Sequence, residues 1–341
     1  MFPQLTTLFS TVVSIFLLSQ FSVAHETCTN PAVRKEWRTL TKAERTNWIN
    51  AVKCLANLPH DDAVNLNTRI HFTGLFLPWH RWYVQVYETA LKTRCNFRGT
   101  SPYWNWVEDY ADVYDSDLFK DSDPVSGLGG WGDPANDISV PDGGFSNTSS
   151  FRLSYPSPHT LRRNFTLQPF LDFPLAGFLS PAQQQLDANA TFTPAERDKL
   201  VNGFVGDYKG FQKYFEGFNG SHGAVHLMMG GDLSGKCPGN APANCTGGPT
   251  FSANDPLFWM HHAMVDKMWF DWQNRHLSNT KAFFGGSVQA LENVTYHNIY
   301  PNGAAPFYNI NSIMPSDGLF PQAKISDVIS TTEGMLCYVY K

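Results

Sequence analysis

Histidines at two places in this 341-residue chain have the types and spacing for metal chemistry. Residues 71–83 read His-Phe-Thr-Gly-Leu-Phe-Leu-Pro-Trp-His-Arg-Trp-Tyr. Far downstream, His222-x-x-x-His226 precedes Asp-Pro-Leu-Phe-Trp-Met-His-His-Ala-Met-Val-Asp at 255–266. Imidazole is a borderline ligand that suits copper, and neutral histidines with little carboxylate or thiolate beside them point to a paired-copper oxygen site rather than to zinc or magnesium. Such a site would work on dioxygen.

Helix geometry decides which of these side chains can converge. His222 and His226 are four apart, so on a helix they are separated by about 40° and roughly 6 Å, and both can face one cavity. Taken alone that spacing is a weak signal. His261 and His262 diverge by about 100° and cannot easily share one metal, so one of them should bind. His71 and His80 would face opposite ways on a continuous helix, but Pro78 predicts a helix start between them, which frees His71 to turn back. A third ligand for this group must come from upstream, where His25 and His60 are available after the leader. His60 is the choice, because His25 would begin the mature chain.

The Leu-Pro-Trp-His-Arg block and the Asp-Pro-x-Phe-x-x-His-His-x-x-Val-Asp block, in that order with His-x-x-x-His between them, resemble the two copper-binding regions of the tyrosinase and catechol oxidase family. The likeness covers nearly all of the chain after residue 24. The run Pro-Ala-Val-Arg-Lys-Glu-Trp-Arg-Thr-Leu at 31–40 and the word Cys-Tyr-Val-Tyr at 337–340 resemble the ends of that family's core in filamentous fungi.

The resemblance implies a mainly α single domain, a four-helix bundle around a dinuclear copper site with long loops and short peripheral strands. It implies two copper ions, one held by His60, His71 and His80 and the other by His222, His226 and His262, with His261 packing beside them. Asp266, one turn beyond His262, is expected to accept a hydrogen bond from a ligand imidazole. Family members use O2 to oxidise ortho-diphenols to ortho-quinones, the coppers supplying the redox chemistry and the protein positioning the phenol.

Some members also hydroxylate monophenols. That activity often goes with an asparagine directly after the first histidine of the second site, where this chain has Gly223; Leu227, after the next ligand, is also apolar. Glu216 resembles the acidic residue that holds a water in relatives, with two extra residues before the ligand. It either fills that role or is a solvated helix residue. Phe251 stands where relatives place a gate over the second copper, and it either narrows access or belongs to the core. Position 69 is Arg69, so the cysteine–histidine thioether of some relatives cannot form in the same way. The chain ends just after the Tyr-x-Tyr word, so no C-terminal shielding domain is expected.

The elements that must hold these groups are legible in outline. Arg34–Leu55 has apolar residues three and four apart and a Thr-x-x-Glu box at 41–44, predicting two short helices. Pro78 predicts a helix running to Lys92 with His80 in its opening turn. Residues 110–170 are rich in Gly, Pro, Asp, Ser and Asn and read as long loops with short strands. Ser180-Pro and Thr193-Pro predict helices over 181–187 and 194–218, and Pro256 predicts another through Gln273. The tail from Val288 to Tyr340 reads as loop with short strands.

Residues 1–24 carry no charged side chain and contain a short apolar stretch ending at Ser-Val-Ala, which reads as a signal peptide. Residues 25–341 are then one exported domain, secreted and extracellular. No further stretch is long enough to span a membrane. A net charge of −5 with no basic run offers no footprint for nucleic acid. The resemblance implies phenolic small molecules and O2 as partners; the oligomeric state is not legible.

Six cysteines in an exported chain favour disulfides, with fifteen possible pairings. Cys237 and Cys245 could close a local loop, and the family layout implies Cys28 with Cys337 and Cys54 with Cys95. Asn147, Asn164, Asn189, Asn219, Asn244 and Asn293 begin glycosylation sequons. A true tyrosinase, a hemocyanin-like oxygen carrier and a structural zinc protein are the alternative readings.

Overall fold

A computed structural model describes residues 28–58, 66–171 and 175–341, so the expected leader and His60 lie outside the described residues. Its helices are α1 (Lys42–Ala56), α2 (Asn67–Ile70), α3 (Phe76–Cys95), α4 (Asp117–Lys120), α5 (Pro181–Gln184), α6 (Pro194–Asn202), α7 (Tyr208–Glu216), α8 (Ser221–Met229), α9 (Leu257–Arg275), α10 (Val294–Ile299) and α11 (Ile325–Val328). The strands are β1 (Ala32–Arg34), β2 (Gly286–Val288), β3 (Ala304–Phe307) and β4 (Tyr338–Tyr340). The fold is mainly helical, as expected.

Local chemistry explains most of the boundaries. Thr41 and Glu44 form the reciprocal box that opens α1, but the expected helix pair is a strand, a short 3-10 turn at Trp37–Thr39 and one helix. Helix α3 begins two residues before Pro78, which sits in the first turn where a missing N–H costs nothing. The helix expected over 194–218 is broken: Phe204 (φ 57°) and Gly206 (φ 70°) turn left-handed, and Asp207 caps a fresh start through Gly210 N–H. The loop region at 110–170 contains α4, and in place of strands it has isolated bridges such as Leu153 to His159.

The two long helices, α3 and α9, pack against each other, with α1 packed on α3 and α6 on α9. Trp37, Trp48, Trp104, Trp106, Trp269 and Trp272 are fully buried in this core. Within it lies an ionic cluster joining both long helices to both ends of the domain. Arg81 of α3 donates to Asp266 of α9 at 2.5 Å, and Arg34 of β1 reaches Asp266 at 3.3 Å and Glu88 at 3.1 Å. The hydroxyls of Tyr338 and Tyr340 each donate to Asp266 at 2.6 Å. Asp266 is therefore occupied by arginines and tyrosines, not by a ligand imidazole as its spacing suggested.

Strand β1 pairs in parallel with β4, Ala32 opposite Tyr338 and Arg34 opposite Tyr340, which brings the chain ends together. Disulfides Cys28–Cys337, Cys54–Cys95 and Cys237–Cys245 are those expected, the first beside the β1–β4 pair and the second tying the end of α1 to the end of α3. Among the described residues, no helix is long and apolar enough to cross a membrane.

Candidate metal centre

Four helices meet at the histidines. Helix α2 stops at Ile70 with His71 as its cap, α3 carries His80 in its second turn, α8 carries His222 and His226, and α9 carries His261 and His262. The loop holding His71 is pinned from several sides. Phe72 is left-handed (φ 50°), Gln289 donates to the His71 carbonyl at 2.8 Å, and Gly74 N–H donates to Gly286 at 3.0 Å. A Cβ on Gly74 would lie 2.9 Å from the Gly285 backbone, so only glycine allows this approach.

Five of the six expected ligands converge, the sixth being the undescribed His60. Ring centroids are 4.9 Å apart for His71 and His80, 4.5 Å for His80 and His262, and 4.9 Å for His222 and His226. His80 Nδ1–H donates to the Phe76 carbonyl at 2.6 Å and His226 Nδ1–H to the Leu233 carbonyl at 2.8 Å. Each such bond fixes the tautomer and leaves Nε2 as a bare lone pair. His226 Nε2 lies 3.1 Å from His262 Nε2. Two imidazoles on one ion, at about 2.0 Å and a tetrahedral angle, would stand about 3.3 Å apart.

His222, His226, His261 and His262 each offer a ligand nitrogen, all within 4.8 Å of one another. His71 Nδ1, His222 Nε2, His262 Nδ1 and both nitrogens of His261 are buried without a hydrogen-bond partner. Leaving such a group unpaired costs about 1–3 kcal/mol, and imidazoles in this number fit copper, which would engage one nitrogen of each ligand ring.

Burial holds every one of these histidines neutral, joined at all but His226 by repulsion from neighbouring rings. His71 and His226 are lowered to about 4, although both are only partly buried, and His80, His222, His261 and His262 fall well below their usual value. These pKa values are depressed on folding, so below pH 6.5 the unfolded chain binds more protons than the folded one. Stability of the metal-free chain is thus expected to fall as pH drops from 6.5 towards 4, by several kcal/mol in order of magnitude. Thermal unfolding of metal-free protein across that range checks this; a flat profile would contradict it.

The remaining expected site residues divide. Glu216 is buried, accepting from Phe72 N–H at 2.5 Å and Gln212 at 2.7 Å, so it braces the His71 loop and is no solvated helix residue. Burial pushes its pKa up to about 8, against the pull of those two donors. Gly223 and Leu227 lie partly exposed on α8. Phe251 is buried edge-on to Tyr155. The ring over the second group is Phe258, 4.1 Å from His262 and one helical turn before it. That residue belongs to the same sequence word as His262 and could have been found from the spacing alone.

His261 enters the cluster more deeply than its sequence reading allowed, its ring parallel to His222 at 5.5 Å. His159 and His297, which stand outside both histidine words, are both buried, His159 against Asp232 at 2.9 Å.

The family model for the common central domain of tyrosinase matches residues 24–275. A tyrosinase-like protein of Diaporthe leptostromiformis, phomQ1', is 32% identical over 92% of this chain and 81% of its own length. Tyrosinase ustQ of Aspergillus flavus is 29% identical over 92% of this chain and 80% of its own. Among solved structures, a mutant of the polyphenol oxidase of Thermothelomyces thermophila superposes with a TM-score of 0.65 at 24% identity, covering 91% of this chain and 89% of that one. It shares the fold. With most of its length matched by the family model and by relatives of similar size, this chain belongs to the tyrosinase family and is a copper-dependent oxidoreductase.

Proposed function

We propose that the protein is a secreted polyphenol oxidase that uses two copper ions and O2 to oxidise ortho-diphenols to ortho-quinones, with monophenol hydroxylation weak or absent. The observation that carries this reading is the meeting of histidines from both sequence words in one cluster, with the His80 and His262 rings 4.5 Å apart and the His226 and His262 Nε2 atoms at 3.1 Å. His60, His71 and His80 would hold one copper and His222, His226 and His262 the other. When bound, the copper pair supplies oxygen binding and the redox chemistry. The chain's part is to hold neutral imidazoles in fixed tautomers, to exclude bulk water with Phe76, Phe258 and Trp79 packed against the ligand rings, and to position the phenol.

Substrate preference follows from proton chemistry. A phenol has a pKa near 10 and must lose its proton to bind a metal, so a monophenol at neutral pH needs a base or a polarised water. Gly223 offers no side-chain dipole for this, and both oxygens of Glu216 already accept hydrogen bonds. A side chain can enter at position 223, since the nearest atoms to its Cβ would be the Phe218 and Gly217 carbonyls at 3.6 and 3.9 Å. Gly223→Asn is expected to raise phenol hydroxylation relative to catechol oxidation several-fold. If the ratio does not move, access or Glu216, rather than position 223, sets the limit.

The reading itself is tested by metal analysis and absorbance of the copper-loaded protein under oxygen. About two coppers per chain, with the band of an oxygen-bound copper pair, are expected. A chain that takes up zinc and shows no such band would overturn it.

A further inference from the structure

His226 owes its orientation to the Leu233 carbonyl, and that carbonyl sits in a turn with unusual support. Gly230 (φ 60°) and Gly231 (φ 51°) let the chain leave α8 left-handed and press against the segment at 162–164, where a Cβ on either would fall 2.2 and 2.1 Å from the Asn164 and Arg162 carbonyls. The backbone of that segment grips the turn: Asn164 N–H donates to Met229 at 3.0 Å and Asp232 N–H to Arg162 at 3.1 Å. Between them lies Asp232, fully buried, immediately before Leu233.

A buried carboxylate has to be compensated. Asp232 accepts from Arg162 N–H at 2.8 Å and from His159 Nε2 at 2.9 Å, while the Arg162 guanidinium stays 3.7 Å away and turns towards Asp137 and the Lys236 carbonyl. The other nitrogen of His159 faces the Ser157 carbonyl at 2.6 Å. With an acceptor at each end, the ring is placed to carry both protons and to meet Asp232 as a cation. Burial opposes that charge, but the hydrogen bond and charge of Asp232 outweigh it and raise the His159 pKa above its usual value.

We propose that His159 is a positioning residue for the second metal: by holding Asp232 it fixes the 230–235 turn, and so the carbonyl that orients His226. The inference rests on His226 being a copper ligand. It adds a relay from a loop residue 67 positions before that ligand (226 less 159), through one carboxylate and one peptide. Partners lying outside the ligands of metal sites typically change metal affinity 10–100-fold, and one acting through a peptide belongs at the lower end.

The test compares copper-loaded wild type with His159→Phe, which keeps a ring but loses the donor, and His159→Gln, which keeps a donor. Copper is withdrawn with a competing chelator while the paramagnetic signal of an isolated Cu(II) is followed. The Phe variant is expected to lose one copper about tenfold more readily than wild type, leaving an isolated Cu(II) signal, and the Gln variant to recover most of the loss. Unchanged withdrawal in the Phe variant would overturn the proposal. So would equal weakening of both coppers with no rescue by Gln, the pattern of a merely structural residue. Should His159→Phe fail to fold, Asp232→Asn is read by the same signal, with selective loss of one copper expected and unchanged withdrawal counting against the proposal. A wild-type chain that never holds two coppers would refute the ligand assignment, and this inference with it.

Discussion

Replacing His262 with alanine is expected to give a folded chain that keeps one copper and has lost oxidation of catechol, by more than the roughly 100-fold that outer partners of a metal site command. His262 is 1% exposed, its Nε2 faces that of His226 at 3.1 Å, and its ring lies against Phe258 and His80. His261→Ala is the control: its ring lies flat against His222, and both coppers should remain. Metal content with oxygen uptake reads the pair of variants. Two coppers in His262→Ala together with one in His261→Ala would exchange the roles of the two histidines.

The largest loss of stability is expected from Asp266→Ala. This carboxylate, 2% exposed, takes hydrogen bonds from Arg81, Arg34, Tyr338 and Tyr340, which come from α3, β1 and β4. Removing it leaves two buried guanidinium groups short of a counter-charge, a change that typically costs 3–5 kcal/mol. With an unfolding entropy of about 2.1 cal/mol/K per residue, about 1 kcal/mol moves the melting point of a domain this large by roughly 1.5 °C, so a fall of about 6 °C is expected. Thermal unfolding of the metal-free variant measures it free of copper effects. A shift of a degree or two would mean that Glu88, 3.1 Å from Arg34, carries the compensation instead.

What the sequence made legible is chemistry packed into short words. Leu-Pro-Trp-His-Arg and Asp-Pro-Leu-Phe-Trp-Met-His-His each put histidine and helix start within one or two turns, so both helices could be read directly, while the choice of His262 over His261 came from the family resemblance. The four-residue period of His222 and His226 is a weak signal alone and became legible only between those two words. Partners chosen by tertiary contact were not legible. Asp266 stands one turn beyond His262, yet its carboxylate turns to arginines from distant segments because two buried cations outbid an imidazole donor. His159 reads as a loop histidine until the fold brings Asp232 to it across 73 positions. The break at 203–207 was missed because the flanking apolar pattern continues in phase, while Phe204 adopts a left-handed conformation that its residue type does not advertise.

Oxygen uptake by the copper-loaded protein, with catechol and phenol measured side by side, bears most directly on the central claim. Rapid uptake with catechol and a far slower initial rate with phenol are expected, because the diphenol faces the smaller hurdle to deprotonation and position 223 supplies no dipole to help the monophenol. A chain holding two coppers that consumes no oxygen with catechol, or that takes both substrates at equal initial rates, would contradict this account.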